Sequence, residues 1–486
     1  MSNRFHVLKT HLILFVRSNP YPGLLVLYYA LAFITPEKKL FIGLSVLFIV
    51  TLWFLYRRWN TALVLGYVAL APFAVGQVYK FQILTPAQLF FDPQYPEGRN
   101  LFFVLSPAFL VGIIIIIKAI HVLATQKIQT ILNIETAVFL ASAIIQFISA
   151  LQALYHQGLS VLYGLERLML VAWLILALTE YQRWRRVVRA LLWTAALSTA
   201  FNGLLALLQL MKGGLVGTIL EQRGTVIPGE ISVSFFRPFG LESHPNFLAN
   251  ALLFGIFTSV VLYLAARVRY RNFAFSAGLV SLIGLIVSQS RAGYVSLTGG
   301  VFLPAFVFFR RSKVKITSLL KRRLSLRATL TGLVLIALLI FFVMGRLYNT
   351  VLFSLDGTFS VRELLNREAT TIIREKPLLG VGLGMFIPAA YERNITGVMH
   401  WFPEAVHNGF LLVASESGIF ALLLAIAFLF FVFRRVVTGK QNIYVRTAIA
   451  GYVLSQVLFM WFHPVNNVTT LQMALVVLLL KSNANA

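Results

Sequence analysis

The chain has 486 residues, 59% of them hydrophobic and only 12% charged, and it contains no cysteine. That balance excludes a soluble globular domain and describes a polytopic membrane protein. The missing cysteines exclude disulfides, iron–sulfur clusters and thiolate metal sites. The net charge of +26 invites a nucleic-acid reading, but in a membrane protein its commoner cause is positively charged loops on the inner side.

Residues 1–19 mix polar and apolar types and lack a small-residue cleavage site, so they read as a short amphipathic helix on the inner surface rather than a signal peptide. A bilayer crossing needs about 20 apolar residues as helix. Apolar stretches near that length lie at about 20–35, 40–56, 61–78, 101–117, 134–155, 160–178, 188–211, 246–266, 273–289, 292–309, 328–346, 407–433, 447–463 and 469–481. The break at 289–292 is either a true boundary or a kink within one element. The fold class is all-α and polytopic, with about 12–14 transmembrane helices. The regions divide into the N-terminus (1–19), an N-terminal bundle (20–211), a central region with external anion-binding loops (212–346), an external segment (347–406) and C-terminal helices (407–486).

Alternating spans put Arg57–Arg58, Arg183 to Arg189, Arg267 to Arg271, Arg310 to Arg327 and Arg434–Arg435 on one side, which is then the cytoplasm, together with both termini. Lys38–Lys39 is the exception. Three external segments result: about 79–100, 212–245 and 347–406. Arginines retained there, among them Arg223, Arg237, Arg346, Arg362, Arg367 and Arg374, oppose the topogenic bias and read as anion ligands. Within the largest segment, Ser360–Lys376 has Val361, Leu364, Leu365, Ile372 and Ile373 at helical spacing with charges between them. It predicts an amphipathic helix that either lies on the outer leaflet or caps a pocket.

Four groups carry candidate chemistry. Arg237 precedes Gly240–Leu241–Glu242–Ser243–His244–Pro245–Asn246, which opens a helix with Asn246 or Ser243 as cap. Guanidinium and free helix N–H groups together make an anion site; the alternative is an interfacial arginine packed on Phe236. His244 fits a turn better than a base. Arg291, in Ser288–Tyr294, sits at or inside the membrane rim, where an ionisable residue is a functional candidate; the alternative is an ordinary hairpin arginine. Arg362, Arg367 and Arg374 lie on the amphipathic stretch and bind either substrate phosphate or lipid headgroups. The glycines that follow, Gly380, Gly382 and Gly384, form no nucleotide-binding fingerprint and read as a hinge or a close backbone turn. His407–Asn408 is the fourth group, an imidazole suited to proton transfer or a plain helix cap; Glu404 or Glu416 would orient its ring. His463, before Pro464, reads as a helix end. The chain has two aspartates, Asp92 and Asp356, and no paired external carboxylates, which argues against a carboxylate-held divalent metal. No cofactor is expected. Arginines that neutralise a phosphate and a histidine that moves a proton suit displacement of a pyrophosphate leaving group.

In this order, the motifs resemble those of the O-antigen ligase and polymerase family of bacterial envelope glycan assembly. They are Arg237 with His244–Pro245–Asn246, Ser290–Arg291–Ala292–Gly293, Arg362 with Pro377 to Gly382, and His407–Asn408 with Glu416–Ser417–Gly418, within about 230–435. The resemblance implies a GT-C-like, metal-independent, inverting glycosyltransferase of the bacterial inner membrane with its site facing the periplasm. It implies a donor in which the glycan is linked to undecaprenyl pyrophosphate. The acceptor is lipid A-core for a ligase or a second lipid-linked glycan for a polymerase. It implies Arg237 and Arg291 on pyrophosphate and His407 as base, with Arg362 or Arg374 assisting; Asn408, His244, Asn246 and Glu416 complete the expected substrate contacts. A lipid-linked-sugar flippase is a remote alternative, since no internal repeat is seen, and an envelope scaffold is another.

Overall fold

A computed structural model describes residues 20–71, 80–81, 103–104, 106–125, 133–154, 157–180, 184–218, 236–242, 244–265, 268–312, 357–393, 398–401, 404–439, 443–464 and 467–481. The expected helix of 1–19, the span at 328–346, Ser243, Arg223 and Arg346 lie outside these residues.

The first half supplies α1 (Pro20–Ile34), α2 (Lys38–Tyr56), α3 (Trp59–Leu70), α4 (Pro107–Thr125), α5 (Ile134–Leu151), α6 (Gln157–Thr179) and α7 (Trp184–Lys212). The second supplies α8 (Pro245–Ala265), α9 (Val268–Val287), α10 (Arg291–Ser312), α11 (Gly357–Glu375), α12 (Phe386–Arg393), α13 (Val398–Trp401), α14 (Gly409–Thr438), α15 (Ile443–Phe462) and α16 (Asn467–Lys481). Each predicted span except 328–346 therefore falls on a helix. Among the described residues nine helices are long and apolar enough to cross a membrane, while α1, α3 and most of α16 are shorter apolar helices. The chain is an all-α polytopic membrane protein. Its one departure from helix, among the described residues, is a two-residue antiparallel pair, β1 (Lys80–Phe81) with β2 (Phe103–Val104).

Two boundaries differ from the sequence reading or resolve it. The stretch at 101–117 becomes a helix only from Pro107, a residue preorganised for the first helical position; the Ser106 Oγ accepts the Phe109 N–H at 3.1 Å. The 289–292 break is a true boundary. Gln289 is left-handed (φ 54°), and Ser290 restarts the chain as α10 by accepting the Gly293 N–H at 3.2 Å.

Lipid offers no hydrophobic drive between helices, so close packing and buried polar pairs must hold them. Where α10 crosses α15, a Cβ on Gly451 would stand 2.4 Å from the Gly300 carbonyl oxygen, so only glycine permits this approach. The Trp173 indole donates to the Val64 carbonyl at 3.0 Å, tying α6 to α3. Thr61 donates to Glu180 at 2.7 Å and Tyr452 to Gln472 at 2.8 Å. The outward faces are apolar, as a lipid-facing surface requires: Ile113, Ile114, Ile117 and Ile120 on α4, and Leu423, Phe430 and Phe433 on α14, are exposed.

α11 is the predicted amphipathic helix. Its buried stripe of Leu365, Ala369 and Ile372 packs into a cluster with Val381, Met385, Phe386, Val406 and Leu412. Each fully buried Leu or Ile of this kind is worth about 1.5–3 kcal/mol relative to exposure to water. The helix therefore lays its apolar face on the protein.

Candidate functional site

Three helix starts meet at one end of the bundle. The opposite helix ends carry Arg271, Arg434 and Arg435, in line with the charge pattern. A helix N-terminus carries a partial positive charge and unsatisfied N–H groups, so the meeting point is suited to anions.

The first start is that of α8, held through the turn before it. The Gln209 Oε1 on α7 accepts the N–H groups of Phe239 (3.1 Å) and Gly240 (2.8 Å), and its Nε2 donates to the Gly240 carbonyl at 2.9 Å. Asn202 Oδ1 accepts the Leu241 N–H at 2.8 Å. Two amides of α7 thus fix the segment bearing Arg237 and His244. Of the two expected caps, Ser243 lies outside the described residues and Asn246 lies within the helix. The His244 Nδ1 accepts the Asn246 N–H at 3.1 Å, which leaves that nitrogen unprotonated. Asn246 Oδ1 reaches across to accept from the Ser290 hydroxyl at 2.7 Å. That bond joins the start of α8 to the start of α10.

Arg291 is the first residue of α10 and is half-buried. Arg237 approaches the same place: its Nη2 donates to the Gln289 carbonyl at 3.3 Å. The two arginines expected to bind one anion are therefore drawn to one helix start from segments more than fifty residues apart.

The third start belongs to α14. Asn408 Oδ1 accepts the N–H groups of Phe410 (3.0 Å) and Leu411 (3.1 Å). Asn408 is thus the cap, with its oxygen engaged there rather than offered to substrate. The preceding His407 is 16% exposed, and its Nε2 stands 3.6 Å from the Glu404 Oε2. Of the two carboxylates proposed to orient the ring, Glu404 is the one beside it.

Glu416 is elsewhere. Its Oε1 accepts the Phe386 N–H at 3.4 Å, and its carbonyl accepts from Gly382 N at 2.9 Å and Ser149 Oγ at 2.8 Å. It holds the glycine segment, away from His407. That segment is the close backbone turn, threaded through an interruption of α14 at Gly418 (φ 81°, ψ 174°). A Cβ on Gly418 would lie 1.9 Å from the Leu378 carbonyl oxygen.

The arginines of α11 separate. Arg362 is half-buried and faces Glu404; burial lowers its pKa, and the Glu404 charge opposes that shift. Arg367 pairs with Glu363 at 2.6 Å on the exposed face. Arg374 is exposed and lies twelve positions further on, about 18 Å along the helix axis. It is not brought to the cluster with Arg362.

His463 belongs here although its sequence suggests only a helix end. Its ring centroid is 5.6 Å from that of His244 and 5.6 Å from that of His407, with Phe247 at 4.9 Å and Phe459 at 5.5 Å. Burial above all, then His244 and His407, push its pKa well below the usual imidazole value, so it is neutral at pH 7. No local pattern around Pro464 signals this neighbourhood, because its partners come from α8 and the start of α14. Among the described residues, no group of three or more His, Cys, Asp or Glu side chains is arranged to hold a metal ion.

The chemical content is compact. Two guanidinium groups and a helix start offer an anion site; an imidazole beside a carboxylate offers proton transfer; Arg362 lies beside that carboxylate. Comparison with known proteins agrees in region. Residues 276–426 match a family model described as O-antigen ligase. The match runs from α9 into α14 and takes in Arg291, Arg362, Arg374, His407, Asn408 and Glu416, whereas Arg237, His244 and Asn246 precede it and His463 follows it. No curated protein matches the chain.

Proposed function

We propose, for a chain that carries an O-antigen ligase domain over residues 276–426, a metal-independent inverting glycosyltransferase of the bacterial inner membrane. It moves a glycan from undecaprenyl pyrophosphate to an acceptor hydroxyl. The first reading is an O-antigen ligase with lipid A-core as acceptor, its site facing the periplasm. The observation that carries this reading is the convergence of Arg237, the Arg291 end of α10, and the His407–Glu404 pair.

In the proposed reaction the acceptor hydroxyl oxygen attacks the anomeric carbon from the face opposite the pyrophosphate. The bond from that carbon to the phosphate oxygen breaks, and the electron pair leaves with undecaprenyl pyrophosphate. Arg237, Arg291 and the N–H groups at the start of α10 stabilise the departing charge. The hydroxyl proton passes to the His407 imidazole. The apolar outer faces of the bundle suit lateral entry of the lipid tail.

A polymerase uses the same chemistry with a second lipid-linked glycan as acceptor. It is the second reading because the matched family region does not distinguish the two acceptors. The test is purified protein with undecaprenyl-pyrophosphate oligosaccharide, with and without lipid A-core, in EDTA. A single shifted product that requires lipid A-core supports the ligase. A ladder from donor alone supports the polymerase. Intact donor in both mixtures, from folded protein, contradicts both.

A further inference from the structure

We propose that Glu404 is the positioning residue for His407, and that Arg362 sets how strongly it acts. This rests on the reading of His407 as the proton acceptor in glycosyl transfer. The two side chains are only 16% and 18% exposed, and their facing atoms are 3.6 Å apart, within ion-pair range. That distance exceeds a hydrogen bond. Once the ring gains a proton, the contact can close to a charge-assisted bond of about 2.7–2.9 Å. The carboxylate thereby stabilises the imidazolium that proton abstraction creates, and it favours the Nε2 proton.

The other titratable and charged neighbours act differently. From the end of α15, His463 packs edge-on against His407 and is neutral. His244, at the start of α8, lies beyond His463. From α11, Arg362 faces Glu404 as a cation and draws part of its field away from His407. The Arg362 Nε is buried with no hydrogen-bond partner among the described residues.

The test reads the ring directly and needs neither donor nor acceptor. Diethyl pyrocarbonate modifies unprotonated imidazole, so the pH midpoint of His407 modification, followed by mass spectrometry on the full-length protein in detergent, reports its proton affinity. Glu404→Gln should move the midpoint down by about one unit. Arg362→Met should move it up by less, and Glu404→Asp should keep it near the wild-type value. In transfer assays the acid limb of the Glu404→Gln rate profile should shift by the same amount, with kcat falling more than KM rises. An unchanged midpoint in folded Glu404→Gln overturns the proposal. If that variant does not fold, a midpoint that stays put or falls in Arg362→Met overturns it instead. Failure of wild-type protein to consume donor would sink the transferase reading and leave the midpoint result standing.

Discussion

The two halves of the molecule use the same apolar alphabet but treat their helix ends differently. In α1–α7 the polar groups are spent inside the bundle, on pairs such as Tyr21 with Thr194, Thr61 with Glu180 and Trp173 with the Val64 carbonyl. The start of α5 has an ordinary cap, Asn133, with no basic group attached. In the second half the starts of α8, α10 and α14 point to one place and bring Arg237, Arg291 and His407 with them. Even the polar side chains of α7 that serve this half, Asn202 and Gln209, hold a site-bearing turn. In lipid, buried polar groups can either fasten helices or build a site; fastening pairs occur in both halves, such as Tyr452 with Gln472, whereas the site-building groups gather at the helix starts of the second.

This contrast can be broken at graded cost. Gly418→Ala has the largest expected effect on folding. It forces a side chain into a glycine-only backbone conformation, worth about 1–3 kcal/mol of strain, and drives a Cβ into the Leu378 carbonyl. Yield of folded protein on size exclusion should collapse. Arg291→Lys keeps the charge but loses the bidentate fork; turnover should drop roughly tenfold, as loss of a charge-assisted hydrogen bond implies. Donor-saturation kinetics check it.

Glu242 gives a pH-dependent effect on stability. It is buried with Asn202, Ser198, Thr199 and Gln472 around a largely apolar cavity, and burial raises its pKa from 4.5 to about 7. Between these values the folded protein holds a proton that the unfolded chain has released. The associated stability is full below pH 4.5 and is lost as pH rises through about 7, a span on the order of 3 kcal/mol. Glu242→Gln should flatten the dependence of Tm on pH and raise Tm above wild type at pH 8. Arg374→Ala sharpens the comparison by doing least. It lies exposed, far along α11 from Arg362, so turnover should stay within twofold of wild type.

Sequence patterning made the helices legible, since length and apolarity decide what crosses a bilayer. It also made legible the amphipathic α11, whose burial of Leu365, Ala369 and Ile372 follows the 3.6-residue period. It singled out Arg237, Arg291 and His407 as candidates because arginine and histidine are conspicuous beside apolar spans. It did not choose between Glu404 and Glu416, which are equally plausible by spacing and are separated only by how the glycine segment threads α14. Nor did it separate Arg362 from Arg374, because periodicity gives a face but not the neighbour that face meets. His463 was invisible for the same reason: its partners are long-range.

The most direct measurement is release of undecaprenyl pyrophosphate from lipid-linked glycan by wild-type protein beside folded His407→Ala. The account predicts release by wild type and a loss of about 100- to 10,000-fold in the variant. Release at the wild-type rate by His407→Ala would contradict the assignment of His407 as the group that takes the acceptor proton.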